Sequence, residues 1–179
     1  MDDVTIGEVG LELRVGDIAA QDDLDAVVNA ANAELRTGGG VAGALHAAAG
    51  PGLAEECAPL APIEPGEVVI TGGHDLPNPH VLHALGPVYG RDRPSDQLLA
   101  ACYRNALRLA DEHELASVGF PALSTGAFGY PADEAAHIAV TTVGDEAMHL
   151  AHVRLVRFVL FSERDLTVLR EALEAQLGR

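Results

Sequence analysis

Apolar residues along this chain fall into short β-branched runs separated by stretches with helical spacing. Residues 11–15, Leu-Glu-Leu-Arg-Val, alternate apolar and charged side chains, the period-two mark of a half-buried strand. Further strands are predicted over 26–29, 68–71, 81–85, 117–120 and 155–161, where valine, isoleucine, leucine and phenylalanine cluster. Helical patterns lie between them at about 41–49, 52–58, 95–112, 131–150 and 163–177. Ser95 and Ser162 are placed to cap the helices they precede or open, and Pro131 suits a first helical turn. Alternation of strand and helix from end to end predicts an α/β fold with helices on both faces of a largely parallel sheet. The proline-rich segments 59–65 and 87–94 read as loops, and with no repeat or long linker the chain is expected to form one domain over 1–179.

Composition narrows the function classes. A chain of 179 residues with 48% apolar content can build a sizeable core. Its 27 acidic residues face 11 arginines and no lysine, for a formal net charge of −16. That surface repels polyanions, so general nucleic-acid binding is not expected, whereas a small anion held by backbone amides remains allowed. The opening residues carry no basic and apolar leader, and no apolar run is long enough to span a bilayer, so a cytoplasmic protein without membrane contact is expected. Cys57 and Cys102 each fall in a predicted helix with no metal or redox spacing and read as reduced, half-buried residues. His80 and His83 lie three apart in a strand, on opposite faces, and His74, His113, His137, His149 and His152 have no ligand spacing. Neither a metal nor a cofactor is expected.

The candidate chemistry gathers at two glycine loops. In the first, strand residues ending at Asn29 are followed by Ala30-Ala31-Asn32, then Gly38-Gly39-Gly40, then an alanine-rich helix. Glycines allow close backbone approach to a ligand, and the free N–H groups of a helix start suit a phosphate. Gly38 to Gly43 formally satisfies the dinucleotide pattern G-x-G-x-x-G, yet residues 30–37 separate it from its strand and no acidic residue ends a second strand about 20 residues on. The second loop, Ser124-Thr125-Gly126-Ala127-Phe128-Gly129-Tyr130-Pro131, again joins a strand to a helix. Two such loops at the carboxyl ends of strands suit a pyrophosphate.

Single residues around the loops carry alternatives. Ser124 is not a nucleophile elbow, because Ala122 stands where that motif needs glycine; a turn residue bonding local backbone is the other reading. Asp17, at the end of the first strand pattern, offers a carboxylate to an exocyclic amine such as that of adenine, or else caps a turn. Phe161 ends the last strand pattern, where a core side chain is one reading. His46 falls one turn after Ala42 on the same helix face, as a proton-transfer group or as a packed polar residue.

The Asn29-to-Asn32 segment with its glycine loop and helix resembles the first signature of the macro domain, the ADP-ribose-binding module, and Ser124 to Pro131 resembles the second. Gly16-Asp17-Ile18, Ile70-Thr71-Gly72-Gly73 and His83-Ala84-Leu85-Gly86-Pro87 extend the resemblance across the chain. It implies a three-layer α/β/α sandwich with a central mixed, largely parallel sheet. It further implies Asp17, Ile18 and Phe161 at the adenine, Asn32 at the outer ribose, and Gly38, Gly39, Gly40, Val41 with Ser124, Thr125, Gly126, Ala127 and Phe128 around the diphosphate. The chain is similar to the deacetylase and hydrolase branch, whose loop reads G-G-G-V-D-G-x-[IL]-H, but Ala42 replaces the aspartate assigned there to water activation. The expected activity is therefore slow hydrolysis of ADP-ribosyl esters on protein acidic residues or acetate, with Asn32 and His46 as catalytic candidates. The alternative is a reader that binds ADP-ribose, free or protein-linked, and releases it unchanged.

Overall fold

A hairpin of β1 (Asp3–Ile6) and β2 (Val9–Val15) opens the computed structural model, which describes residues 2–178; Met1 and Arg179, the ends of the expected domain, lie outside the described residues. There follow β3 (Ala26–Ala30), α1 (Gly40–Ala49), α2 (Pro51–Cys57), β4 (Val68–Gly72), β5 (His80–Ala84), α3 (Ser95–Glu112), β6 (Ser117–Phe120), α4 (Ala132–Ala147), β7 (Leu155–Leu160) and α5 (Glu163–Leu177). The strands form one sheet in the order β1-β2-β7-β6-β3-β5-β4. The inner five run parallel, and β1 and β4 pair antiparallel at the edges, which makes the sheet mixed and largely parallel as expected.

Period-two alternation sends neighbouring strand residues to different cores. Val28 and Leu82 join a core under α3, α4 and α5, while Val27 and Val81 join one under α1 and α2. The first core is centred on Tyr103, Phe120 and Phe158, whose ring centroids lie 5.1, 5.9 and 6.1 Å apart in inclined pairs. The second is aliphatic, with Leu45, Leu53 and Leu35 fully buried. Each such side chain withdrawn from water contributes about 1.5–3 kcal/mol before chain entropy is counted. No helix among the described residues is long and apolar enough to cross a membrane.

Several local expectations need correction. β1 is an added edge strand of four residues, too short and too exposed to show a strong pattern. Ser95 does not cap α3: Pro94 occupies the cap, and the Ser95 hydroxyl turns back to donate to the Asp92 carbonyl. Ser162 does cap α5, accepting from the Asp165 amide. Pro131 stands one residue before α4, and that helix stops at Ala147 rather than 150. Downstream, the Asp111 carboxylate takes the amides of Ala151, His152 and Val153 at 3.0, 2.7 and 3.0 Å, holding an irregular segment there. Both cysteines are fully buried, not half-buried, and burial pushes their thiols up to about 11 for Cys57 and about 12 for Cys102.

Candidate functional site

Adjacent parallel strands β3 and β6 feed helices on opposite faces of the sheet, α1 in the aliphatic core and α4 in the aromatic one. Their neighbours do the same: β2 leads to a 3-10 turn, Ile18–Ala20, on the α1 face, and β7 leads to α5 on the other. The sheet therefore opens at its carboxyl edge between connections that diverge, which is where open α/β sheets hold ligands. Four of the sequence's candidate segments meet along this edge: the turn at Asp17, the end of β7 at Phe161, and the two glycine loops.

The first loop is shaped by its own side chains. Asn32 Nδ2 donates to the Arg36 carbonyl at 2.8 Å while its Oδ1 accepts the Arg36 amide at 2.9 Å. Inside that clasp Leu35 adopts φ 55° and buries its side chain, so a non-glycine residue in the left-handed region anchors the loop in the aliphatic core. Gly40 begins α1 at φ 57°, and a Cβ on Gly43 would stand 2.3 Å from the Gly38 carbonyl oxygen, so only glycine lets the loop fold back on its helix. The Gly39 cap offers no side chain, which leaves the first-turn amides of α1 open to an anion. Asn32 keeps one amide hydrogen and one lone pair beyond the clasp.

The second loop is held by backbone. Gly129 N donates to Gly126 O at 3.0 Å, Tyr130 N to Ser124 O at 2.9 Å, and Tyr89 N to Phe128 O at 2.9 Å. The amides of residues 125–128 donate to no backbone acceptor among the described residues. Ser124 has φ 66° and a buried hydroxyl oxygen without a partner, packed against Gly86. Strain together with an unsatisfied buried group at one residue is the kind of feature that concentrates at binding sites.

At the other end of the edge, Asp17 caps the 3-10 turn, its Oδ1 accepting from Ala19 N at 2.9 Å, so the capping alternative is realised. That bond leaves Oδ2 open. Ile18 is buried beside it. Phe161 is 94% exposed, which discards the core alternative for this residue. His46 lies on the buried face of α1, 7% exposed, with Nε2 unpartnered. Burial lowers its pKa, and no hydrogen bond joins it to Asn32 or to either loop among the described residues.

Sequence reasoning missed the floor beneath the first loop. Asn29 and His83 are paired across β3 and β5, and Asn29 Nδ2 donates to His83 Nδ1 at 3.0 Å. The remaining ring N–H, at Nε2, then meets Thr71 Oγ1 at 2.9 Å, and the Thr71 hydroxyl donates to the Gly72 carbonyl at 3.0 Å. Cys57 Sγ lies 3.7 Å from the same Nε2. Burial, joined by repulsion from His46, lowers the His83 pKa to about 4 and keeps the ring neutral. Asn29 Oδ1 is left without a partner. Polar residues at inward strand positions were the available signal, but their partners depend on the register of β3 with β5. The positive φ of Leu35 and of Ser124 gave no signal, because leucine and serine carry no preference for that region.

Two loops with open amides on diverging connections define an α/β domain fitted to hold an anionic ligand by its backbone. Residues 28–139 match the family model described as Macro domain. The chain is 48% identical over 153 residues to a macro domain-containing protein of Chlorobaculum tepidum, covering 85% of this chain and 89% of that protein. It is 44% identical over 167 residues to a Klebsiella pneumoniae protein named O-acetyl-ADP-ribose deacetylase, covering 90% and 95%. It superposes on the Oceanobacillus iheyensis macrodomain solved with ADP at a TM-score of 0.94, with 41% identity and coverage of 98% and 96%. A glycine-to-valine variant of that macrodomain is solved with ADPR. The chain belongs to the macro domain family.

Proposed function

We propose that the chain is a single macro domain that binds ADP-ribose along the carboxyl edge of its sheet. The observation that carries this reading is the pair of amide-lined loops on adjacent strands, β3 and β6. The diphosphate sits between Gly38–Val41 and Ser124–Phe128. Adenine lies at Asp17 and Ile18, which follow β2, and at Phe161, which follows β7, the two strands next to β6 on the side away from β3. The outer ribose takes the free hydrogen and lone pair of Asn32. Backbone donors suffice for this ligand in a protein without lysine. ADP-ribosylated proteins, or O-acetyl-ADP-ribose, are the partners that fit this site, in a cytoplasmic setting. Relatives named as deacetylase and solved with ADPR support the ligand class.

Hydrolysis of an ADP-ribosyl ester is the second part of the proposal, and Ala42 makes it slow. A positioned base is worth about 10²–10⁴-fold, and at this point of α1 the chain offers a methyl group. Asn32 orients the ribose, and His46, neutral and one turn deeper, is the remaining group for proton transfer. The test is calorimetry with ADP-ribose, followed by incubation with O-acetyl-ADP-ribose and glutamate-ADP-ribosylated protein over hours. Binding with slow release of product is expected, and Ala42→Asp should raise turnover by at least tenfold. No binding at millimolar ADP-ribose would refute the ligand. Binding without turnover in either protein would select the reader.

A further inference from the structure

The turn that carries Asp17 is tied to the sheet by a chain of side chains that ends on an arginine. Gln21 Nε2 donates to the Asp17 carbonyl at 2.9 Å, and Gln21 Oε1 accepts from Arg157 Nη1 at 3.0 Å. Arg157 is itself fixed from three sides: Nε to Glu12 Oε2 at 2.7 Å, and Nη1 and Nη2 to the two oxygens of Asp23 at 2.7 Å each. Glu12 and Arg157 face each other across β2 and β7, so the anchor is part of the sheet itself. A half-buried arginine with all these bonds in place has a nearly fixed head, unlike a surface ion pair. The backbone of the segment has its own supports: Gly16 N donates to Leu160 O at the end of β7 at 3.0 Å, Ala20 N to Asp17 O at 3.0 Å, Ala19 N to the Asp17 cap, and Asn78 Nδ2 to the Gln21 carbonyl at 2.6 Å.

Among the described residues Gln21 is the one side chain that bonds both this turn and Arg157, and it does so with a donor and an acceptor used at once. We propose that Gln21 and Arg157 are positioning residues that hold the Asp17 carboxylate and so set the preference of the cleft for adenine over a base without an exocyclic amine. The proposal rests on the reading of Asp17 as the adenine-facing group. Asp17 is exposed, and a short side chain on a turn discriminates bases only when its backbone is held; the relay supplies that hold from the sheet.

The test measures affinity for ADP-ribose and for the hypoxanthine analogue, which lacks the amine, in wild type, Gln21→Ala, Gln21→Glu and Asp17→Ala. Gln21→Glu keeps an acceptor for Arg157 but loses the donor to Asp17, so it separates the two halves of the relay without removing the side chain. Both Gln21 variants should lose about fivefold in ADP-ribose affinity, the worth of one hydrogen bond, while the analogue binds as before. In an Asp17→Ala background Gln21→Ala should have no further effect, as expected of a residue that acts through another. A general loosening of the fold would instead weaken both ligands alike, in either background, and would overturn the proposal. If Asp17→Ala abolishes the preference and Gln21→Ala retains it, the relay is wrong while the adenine reading stands. If Asp17→Ala itself retains the preference, the adenine reading fails and the proposal with it.

Discussion

The two glycine loops offer the same kind of open backbone donor on different foundations. The first is closed by a side chain, Asn32, and rests on a buried polar floor of Asn29, His83, Thr71 and His46. The second is closed by backbone bonds and leads into a core of alanines and aromatic rings. Each holds one non-glycine residue in the left-handed region, Leu35 in the first and Ser124 in the second, so both are strained. The first loop's strain is offset by burying a leucine. That of the second is not offset by any hydrogen bond to the serine hydroxyl. A ligand gripped by both loops is thus exposed to two different kinds of perturbation, acid at one and repacking at the other.

Acid should produce the largest effect, through the buried polar floor on the first loop's side of the sheet. The folded His83 imidazole titrates at about 4, below its ordinary 6.5, so between these values the unfolded chain binds the proton and the folded one does not. Stability is therefore full above pH 6.5 and falls as the pH drops, by about 2 kcal/mol at pH 5 and about 3 kcal/mol below pH 4. Urea unfolding from pH 7 to 5 checks this, with His83→Gln expected to flatten the profile; an unchanged slope in that variant would place the sensitivity elsewhere. Gly43→Ala comes next. Its Cβ meets the Gly38 carbonyl oxygen at 2.3 Å and forces the first loop outward at a cost of about 1–3 kcal/mol, read as a tenfold to hundredfold loss of ADP-ribose affinity in calorimetry.

Asn32→Ala removes the clasp and the ribose contact together, and a loss of about 1–2 kcal/mol in binding is expected, with any ester turnover falling in step. Ser124→Gly sharpens the contrast from the other side. It relieves a positive φ and deletes an orphan hydroxyl, so the protein should gain about 1 kcal/mol in thermal unfolding while its ADP-ribose affinity declines. Arg36→Ala should matter least, under about 1 kcal/mol, because Asn32 uses the Arg36 backbone and the side chain is exposed. A large loss in that variant would show a guanidinium acting on the phosphates.

What the sequence discloses follows the range of each interaction. Alternation of apolar residues in β2 and their clustering in β3 to β7 located these strands to within two residues at either end, and glycine clustering located both loops, since these are local properties. The edge strand β1 and the early stop of α4 were not legible, because one is too short and the other depends on what holds the segment after it. Asp111 captures amides some 40 positions away. Phe161 carried two readings that exposure separated only once the sheet was assembled, while Asp17 caps its turn with one oxygen and keeps the other for a ligand. The Asn29–His83 pair stands on inward strand positions that look like ordinary packing until β3 and β5 are set side by side.

The central claim is that both loops grip one diphosphate with their backbone amides. An amide-resolved NMR titration with ADP-ribose tests it most directly. Saturable one-to-one shifts are expected in the amides of residues 38–42 and 125–128 together, with Asp17 and Phe161 responding at the far end. Shifts confined to one loop, or none at millimolar ligand, would contradict it.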